Sequence, residues 1–342
     1  MSKVDFFINS TNFIHAVDCD VMKAGGYHLN TIHMKKIFFL FVSGIILINS
    51  HAQTTDVIKI TGTKFPFEIM QQWIDVYSKT YPAIHFELSK AIPSDSADLM
   101  IAAHGFRQGE LKDNEVAIAI NRYAQLPIAN SNRSDLKTLQ QKGFTQQDLK
   151  NIYFNAQQNK TDGLNEPVTI YRRDKNVCAS RSFSENVTGK QLDVAGELVN
   201  GDDRALSNAV KNDVNGISYN NLGLIYNIKT RKVADSIAVI PIDLNENGKI
   251  DTDENIYATL DNVLDFLSTS TNNNIPQDNV NIVFNKNTIS KNALNFLSWI
   301  ITQGQQYNRS YGFLNLDETI IQQEQQQLIV LLKHINELTI KN

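Results

Sequence analysis

Oxygen-bearing side chains recur at alternate positions in the segment 243–254, in the order that is typical of a calcium-binding EF-hand loop. Gly248 stands where such a loop needs a sharp bend. The predicted ligands are Asp243, Asn245, Asn247, Lys249 through its backbone carbonyl, Asp251 through a water and Glu254. A strand is predicted before the loop and a helix after it, so we expect a structural Ca²⁺ site that ties them together. A metal-free turn rich in Asn and Gly is the alternative.

Residue types that carry nucleophilic or zinc chemistry are few downstream of residue 52. The histidines are His85, His104 and His334, and they lack the spacing of a zinc site. The sequence has no Gly-x-Ser-x-Gly nucleophile elbow and no phosphate-binding Walker loop. Cys178 with a distant His leaves a secreted cysteine hydrolase open as a minor hypothesis. We therefore expect a protein that is not an enzyme.

The N-terminal region has the three parts of a secretory signal peptide. The basic segment Met34-Lys35-Lys36 precedes a short apolar run at 37–48, and Ser50-His51-Ala52 follows as a cleavage site. The apolar run falls short of the ~20 residues that a membrane span needs. We expect cleavage after Ala52 and a periplasmic product. Residues 1–33 are then a mis-assigned extension upstream of the true start at Met34.

Charge and composition narrow the class of protein. The formal net charge is −4, with 42% hydrophobic and 20% charged residues, as in an ordinary globular chain. No basic field would attract nucleic acid. The chain has two cysteines, of which Cys19 lies in the predicted extension, so no disulfide framework is expected. We expect a monomer.

Hydrophobic periodicity predicts strands that alternate with helices, which is typical of α/β architecture with a mostly parallel sheet. A strand at 57–61 ends at Gly62, and Pro66 suits the first turn of a helix that runs to Tyr81. Further strands are predicted at 84–88, 99–103, 115–120, 168–171, 216–219, 237–242 and 279–284. Further helices are predicted at 148–154, 182–187, 206–210, 256–267, 294–301 and 318–332.

Several short motifs occur in an order that resembles one family. They are Gly62-Thr63-Lys64-Phe65-Pro66 with Trp73, Leu149-Lys150-Asn151-Ile152-Tyr153, Gly216-Ile217-Ser218-Tyr219, Phe296 with Trp299, Gly304-Gln305, and Tyr311-Gly312-Phe313 with Leu316. This order is similar to that of the periplasmic phosphate-binding proteins of ABC transporters. The resemblance implies a two-lobed type II periplasmic-binding fold, each lobe being a central, mostly parallel sheet flanked by helices. It places lobe 1 at 55–120 and 280–342, and lobe 2 at 121–279.

The resemblance also implies a small-oxyanion site between the lobes, held by the unpaired N–H groups of two helix starts. The implied anion-binding residues are Thr63, Lys64 and Phe65 at the first start, His104 and Arg173 at strand ends, and Cys178, Ala179, Ser180 and Arg181 at the second start. An ABC permease of the inner membrane is the implied partner.

Two departures from the family pattern bear on the ligand. A gapless match puts Val177-Cys178-Ala179 at the family's Ser-Gly-Thr turn, whereas a one-residue shift puts Cys178-Ala179-Ser180 there and keeps a hydroxyl. We prefer the shift. His104 stands where the family has an Asp that accepts the proton of phosphate. The expected ligand is therefore phosphate or a related oxyanion, and the alternative is an interaction or sensing module whose cleft has degenerated.

Overall fold

Strands and helices alternate along most of the chain in a computed structural model that describes residues 57–155, 161, 163–270 and 274–341. The strands are β1 (Val57–Gly62), β2 (His85–Leu88), β3 (Leu99–Ala102), β4 (Glu115–Asn130), β5 (Thr169–Arg172), β6 (Glu197–Leu198), β7 (Gly216–Asn221), β8 (Ile237–Val239) and β9 (Gln277–Asn285). The α-helices are α1 (Phe67–Thr80), α2 (Leu136–Lys142), α3 (Gln146–Tyr153), α4 (Cys178–Thr188), α5 (Asp203–Asn212), α6 (Leu222–Ile225), α7 (Leu260–Thr269), α8 (Lys291–Thr302) and α9 (Glu318–Lys341).

The predicted extension 1–33 and the predicted signal peptide 34–52, with its cleavage after Ala52, lie outside the described residues. Within the described part of the chain, none of the helices combines the length and the apolar character that a bilayer crossing requires.

The sheet joins parallel and antiparallel strands in the order β2-β1-β3-β9-β4-β7-β5-β6, and β8 adds to β4. The pairs β1–β2, β1–β3, β5–β6 and β5–β7 are parallel. The long strands β4 and β9 run antiparallel to each other and to their outer neighbours β7 and β3. Two parallel groups are thus linked through one antiparallel pair.

Two separate hydrophobic cores divide the described chain. The first core packs β1 and β3 against α1 and α8, and the second packs β5 and β7 against α3, α4 and α7. Strand β4 passes from the first core at Tyr123 to the second at Ala124. Strand β9 lies in the first core at Val280, while Ile275, just before it, lies in the second. Below, lobe 1 and lobe 2 denote the segments built on the first and the second core.

The motifs near both ends of the sequence meet in lobe 1. The indole N–H of Trp73 donates to the carbonyl of Gly304 at 2.9 Å. The amide of Gln305 donates to the carbonyl of Ile120 at 2.8 Å. Because all four residues of these two bonds are buried, each polar group needs such a partner. These contacts fix the C-terminal segment against β4 and α1.

The sequence located most elements but misjudged some boundaries. The predicted short helix after Thr145 is confirmed as α3, where Thr145 and Asp148 form a reciprocal capping box. Strand β4 continues ten residues beyond the predicted end at Ile120, because its later residues are buried in lobe 2. Helix α4 begins at Cys178 and not at Ser182. The second helix start therefore lies at Cys178, as the family resemblance implied.

Candidate functional site

A cavity of about 380 Å³ lies between lobe 1 and lobe 2. Six of the predicted anion-binding residues line it, namely Thr63, Lys64, Phe65, His104, Arg173 and Cys178. The other lining residues are Gly62, Lys90, Met100, Ile101, Ala102, Asn176, Val177, Asp202, Asp203, Arg204 and Leu224. The predicted residues thus share the cavity wall with other side chains, some apolar and some acidic, that the sequence did not single out.

Gly62 sets the path of the chain from β1 into the cavity wall. Its φ is +118°, and a Cβ there would stand 2.2 Å from the carbonyl oxygen of Ile101. Only glycine allows this approach. The N–H of Thr63 then donates to the same carbonyl at 2.9 Å, which turns the following residues toward the cleft. Helix α1 begins four residues later, after Pro66.

The start of α4 forms the opposite wall. Val177 is extended and precedes Cys178, the first helical residue, so the N–H groups of the first turn have no partner within the helix. Ala179 and Ser180, both predicted to contact an anion, are buried behind this wall. The carbonyl of Ala179 accepts from Gln125 at 3.0 Å, and the hydroxyl of Ser180 pairs with Tyr219 at 2.7 Å. They anchor α4 to the sheet and do not line the cavity.

Arg181 also departs from its predicted place. Its guanidinium pairs with Glu110 of lobe 1 at 2.6 Å and with Glu185 of its own helix at 3.0 Å. Arg107 adds a further pair with Glu185 at 2.8 Å. These carboxylates hold Arg181 beside the cavity and not in it, because an ion pair satisfies the guanidinium more closely than an open cleft. Arg181 is therefore not among the residues that line the cavity.

Cys178 joins the two lobes at the cavity wall. Its Sγ lies 3.0 Å from Oγ1 of Thr63 and 3.2 Å from Nδ1 of His104. Both partners belong to lobe 1, whereas Cys178 belongs to lobe 2. Burial and the nearby charge of Arg181 lower the pKa of His104, although Glu110 and Glu185 act in the opposite direction. The imidazole is therefore neutral at pH 7, with one nitrogen able to accept a proton.

Two cationic side chains of the cavity, Arg173 and Lys64, already have acidic partners. Arg173 and Asp203 form a buried ion pair of 3.0 Å. Lys64 pairs with Asp202 at 3.0 Å. Burial raises the pKa of Asp203 even though the guanidinium of Arg173 lowers it. The field that an anion meets is consequently weaker than the count of Arg and Lys suggests.

The acidic partners were absent from the sequence prediction. Asp202 could have been recognised in the sequence as a helix cap, since it directly precedes α5 and accepts the N–H of Arg204 at 3.1 Å. Its pairing with Lys64 spans 138 residues and has no local signal. The same holds for Asp203, which reaches Arg173 across 30 residues.

A second cavity of about 380 Å³ adjoins the first, with which it shares Phe65, Arg204 and Leu224. Its wall adds four aromatic residues, Tyr123, Tyr226, Tyr311 and Phe313, beside polar and charged ones. Such walls suit a flat apolar group. The cleft therefore has room for more than a single tetrahedral oxyanion.

The segment 243–254 forms a tight polar loop. Asp243 and Glu254 are buried, and their carboxylates accept backbone N–H groups of the loop from Gly248 at 2.7 Å and Asn245 at 2.9 Å. Gly248 has a φ of +85°, as a sharp bend needs. The loop thus closes on two buried carboxylates.

Asp251 lies at the rim of this loop. Hydrogen bonds from Lys249, first, and then from Asn247 and Asn245 lower the pKa of Asp251 to about 2, so it is ionised at neutral pH. Its distance to Nζ of Lys249 is 2.6 Å. Within the described residues, no group of three or more His, Cys, Asp or Glu side chains is arranged to hold a metal ion. The calcium site stays a prediction.

Two solved structures share the fold of this chain. One is a protein of Clostridium perfringens with bound phosphate, assigned as a phosphate ABC transporter substrate-binding protein. It has a TM-score of 0.57 and 16% identity, covering 77% of this chain and 100% of its own. The other is an ABC-type phosphate transport receptor of Vibrio cholerae, with a TM-score of 0.54 and 14% identity, covering 76% and 100%. No protein-family model and no curated protein matches the sequence.

These similarities confirm the predicted fold class, an α/β type II periplasmic-binding fold. They confirm the resemblance to phosphate-binding proteins of ABC transporters at the level of the fold. In this protein the antiparallel pair β4–β9 lies at the centre of the sheet, between the two parallel groups.

Proposed function

We propose that this protein is the substrate-binding component of an ABC transporter and that it takes up an oxyanion in the cleft between its lobes. One observation carries the proposal. The segment after β1 and the start of α4 come from opposite lobes and line the same cavity. Unpaired N–H groups of a helix start carry about half a positive charge, which favours an anion without a large basic field.

The anion is phosphate or a related oxyanion, either free or as the head group of an organic molecule. A water occupies about 30 Å³ in the liquid, so a cavity of about 380 Å³ exceeds a five-atom oxyanion several times. The aromatic second cavity beside it supports an organic oxyanion whose body is a flat ring. Neutral His104 in place of an acidic acceptor removes one repulsion against fully ionised anions.

Export and partner follow from the same proposal. The predicted signal peptide would deliver the protein to the periplasm as a monomer, where it would hand its ligand to a permease in the inner membrane. The proteins with this fold that carry a substrate-binding assignment support the role. The proposal includes no catalytic turnover.

A ligand screen by thermal unfolding tests this function. A ligand that binds only the folded state adds RT ln(1 + [L]/Kd), or about 2.7 kcal/mol at a hundredfold excess over Kd. We expect one or more of phosphate, sulfate, molybdate and phenyl phosphate to raise the melting temperature, with chloride at equal ionic strength as the control. A larger shift with phenyl phosphate than with phosphate identifies an organic ligand. Unchanged melting temperatures in all four anions contradict oxyanion binding.

A sensing or interaction module is the second candidate. The observation that favours it is the pairing of Lys64 and Arg173 with acids, which leaves fewer positive groups free for a ligand. Such a module would leave all four anions without effect on the melting temperature and would bind a partner protein instead. The screen separates the two candidates.

We also propose that the loop 243–254 holds a structural Ca²⁺. Two buried carboxylates, Asp243 and Glu254, converge on the loop, and both accept hydrogen bonds from backbone N–H groups of the loop. Buried carboxylates without a positive partner are costly, and a cation offsets that cost. The role of the ion would be to stabilise the connection between β8 and α7.

A further inference from the structure

Cys178 has a chemical environment that the oxyanion proposal does not use. It is the first residue of α4, it is partly exposed, and it lines the cavity of about 380 Å³. Nδ1 of His104 and Oγ1 of Thr63 lie 3.2 Å and 3.0 Å from its sulfur. The thiol is thus a nucleophile with a base and a hydroxyl within hydrogen-bonding reach.

This arrangement gives the thiol proton an acceptor when a reagent arrives. His104 can accept the thiol proton because its own pKa is lowered by burial and it is neutral at pH 7. The helix start favours negative charge on the sulfur. The Thr63 hydroxyl can donate to an oxygen of the reagent. These groups therefore meet at one reaction centre, the sulfur atom and the reagent beside it.

We infer that Cys178 is a modification site that reacts with small hydroperoxides, with His104 relaying the proton and Thr63 binding the reagent. The cavity admits a small polar molecule to the sulfur, and all the side chains that the reaction uses line this cavity. This inference does not depend on oxyanion transport.

The reaction balances without a cofactor. The sulfur attacks one oxygen of the hydroperoxide, so that an S–O bond forms and the O–O bond breaks. The sulfur is oxidised by two electrons and the peroxide is reduced. The thiol proton passes to Nδ1 of His104 and then to the departing oxygen, which leaves as water or an alcohol. Cys178 becomes a sulfenic acid.

The structure favours a single oxidation over repeated acyl transfer. Within the described residues, the ring of His104 hydrogen-bonds only to Cys178, so no third group orients the base as in a hydrolase triad. The sequence has one other cysteine, Cys19, inside the predicted extension. The sulfenic acid would therefore persist, and its added oxygen would displace the contacts that join Thr63 and His104 of lobe 1 to α4 of lobe 2.

The experiment measures how fast hydrogen peroxide oxidises Cys178. All proteins carry Cys19→Ser, so that Cys178 is the single thiol. The sulfenic acid is trapped with dimedone and counted by intact mass, for the native protein and for the same protein unfolded in urea. We expect the native thiol to react at least tenfold faster than the unfolded one. An equal or slower native rate overturns the inference.

Two variants assign the proton relay. His104→Gln should slow the native reaction at pH 7 at least tenfold, and Thr63→Val about threefold. His85→Gln, an exposed position on β2, is the matched control and should leave the rate unchanged. Unfolding midpoints check that each variant folds. If His104→Gln folds and reacts as fast as the reference, His104 is not the base and the inference fails. If His104→Gln does not fold, the inference is judged on the ratio of native to unfolded rates and on the rate of Thr63→Val.

The pH profile separates a proton relay from a merely structural role. Charged groups that act on His104 are Arg181 and Glu185 of α4 and Glu110 of the segment after β3. The remaining charged groups of the cavity are Lys64, Lys90, Arg173, Asp202, Asp203 and Arg204. We expect the rate to fall as the pH drops through the lowered pKa of His104, because the protonated ring no longer accepts the thiol proton. The His104→Gln variant should lose this inflection, and retention of it contradicts the relay.

Discussion

In the proposed function, the buried pair of Arg173 and Asp203 sets how strongly the cleft attracts an anion. Each side chain is removed from water, and their separation is 3.0 Å. An ion pair of this kind satisfies both charges, so a ligand that engages Arg173 must compete with Asp203 or approach a face of the guanidinium that the carboxylate leaves open. In that proposal, Asp203 lowers the affinity of the cleft for an anionic ligand.

Replacement of Asp203 by Asn tests this competition. Asp203→Asn leaves Arg173 with an unmatched buried charge, so we expect the free energy of unfolding to fall by about 3–5 kcal/mol. The same charge becomes available to a ligand. We therefore expect at least tenfold tighter binding of phosphate or phenyl phosphate, measured by calorimetry.

Asp193→Asn is the matched control, since it breaks an exposed pair with Lys175 that does not line the cavity. An exposed pair contributes about 0–1 kcal/mol, so this variant should change both stability and affinity little. If Asp203→Asn binds neither anion more tightly than the wild type, Arg173 takes no part in anion recognition.

At the scale of elements, the loop 243–254 connects β8 to α7. Asp243 follows the segment that continues from β8, and the chain reaches α7 soon after Glu254. The loop closes because Phe144 exchanges backbone hydrogen bonds with this region at Pro241 and Asp243. A cation held by both carboxylates would fix the distance between the strand and the helix.

Calcium removal tests the proposed metal. We expect EDTA to lower the melting temperature and excess Ca²⁺ to restore it, with a dissociation constant of about 10⁻⁴–10⁻³ M, as in extracellular modules. Asp243→Asn and Glu254→Gln should abolish the response. Asp253→Asn, an exposed position that is not among the predicted ligands, should retain it. A melting temperature that ignores both EDTA and Ca²⁺ refutes the site.

At the scale of the whole molecule, ion pairs that are exposed or partly buried bridge the lobes on both sides of the cavity. Lys64–Asp202 and Arg204–Glu68 lie on one side. Arg107–Glu185 and Arg181–Glu110 lie on the other. Each exposed pair contributes only about 0–1 kcal/mol, so together they favour a closed cleft without locking it. We predict that the lobes turn about the crossing strands β4 and β9, which run through both cores.

Salt and ligand should therefore shift the shape of the protein in opposite directions. At 1 M NaCl the Debye length is about 3 Å, so the bridging pairs are screened and the radius of gyration should increase. A bound oxyanion should reduce it again. Small-angle scattering measures both changes and tests the predicted lobes, 55–120 with 280–342 and 121–279.

Lys112→Ala provides the control, because Lys112 pairs with Glu115 at 2.9 Å within lobe 1. This variant should respond to salt as the wild type does, whereas Lys64→Ala with Arg107→Ala should be expanded already at low salt. A radius that stays constant in salt and in a confirmed ligand complex excludes hinge closure.

The sequence by itself determined the features that depend on neighbouring residues. Gly62 and Pro66 delimit the turn between β1 and α1, and Thr145 with Asp148 caps α3. The order of strands and helices, and hence the fold class, follows from periodicity and from short motifs. Such signals can be recognised in the sequence because the interactions that form these turns and caps join residues only a few positions apart.

Only the tertiary structure decided what the cleft contains. Cys178 meets Thr63 across 115 residues and His104 across 74, and Lys64 meets Asp202 across 138. No local pattern encodes such pairs, because they arise from the packing of two lobes that the crossing strands bring together. For the same reason Ser180 and Arg181, which the sequence placed in the anion site, are turned toward Tyr219 and Glu110 by contacts that only the assembled fold creates.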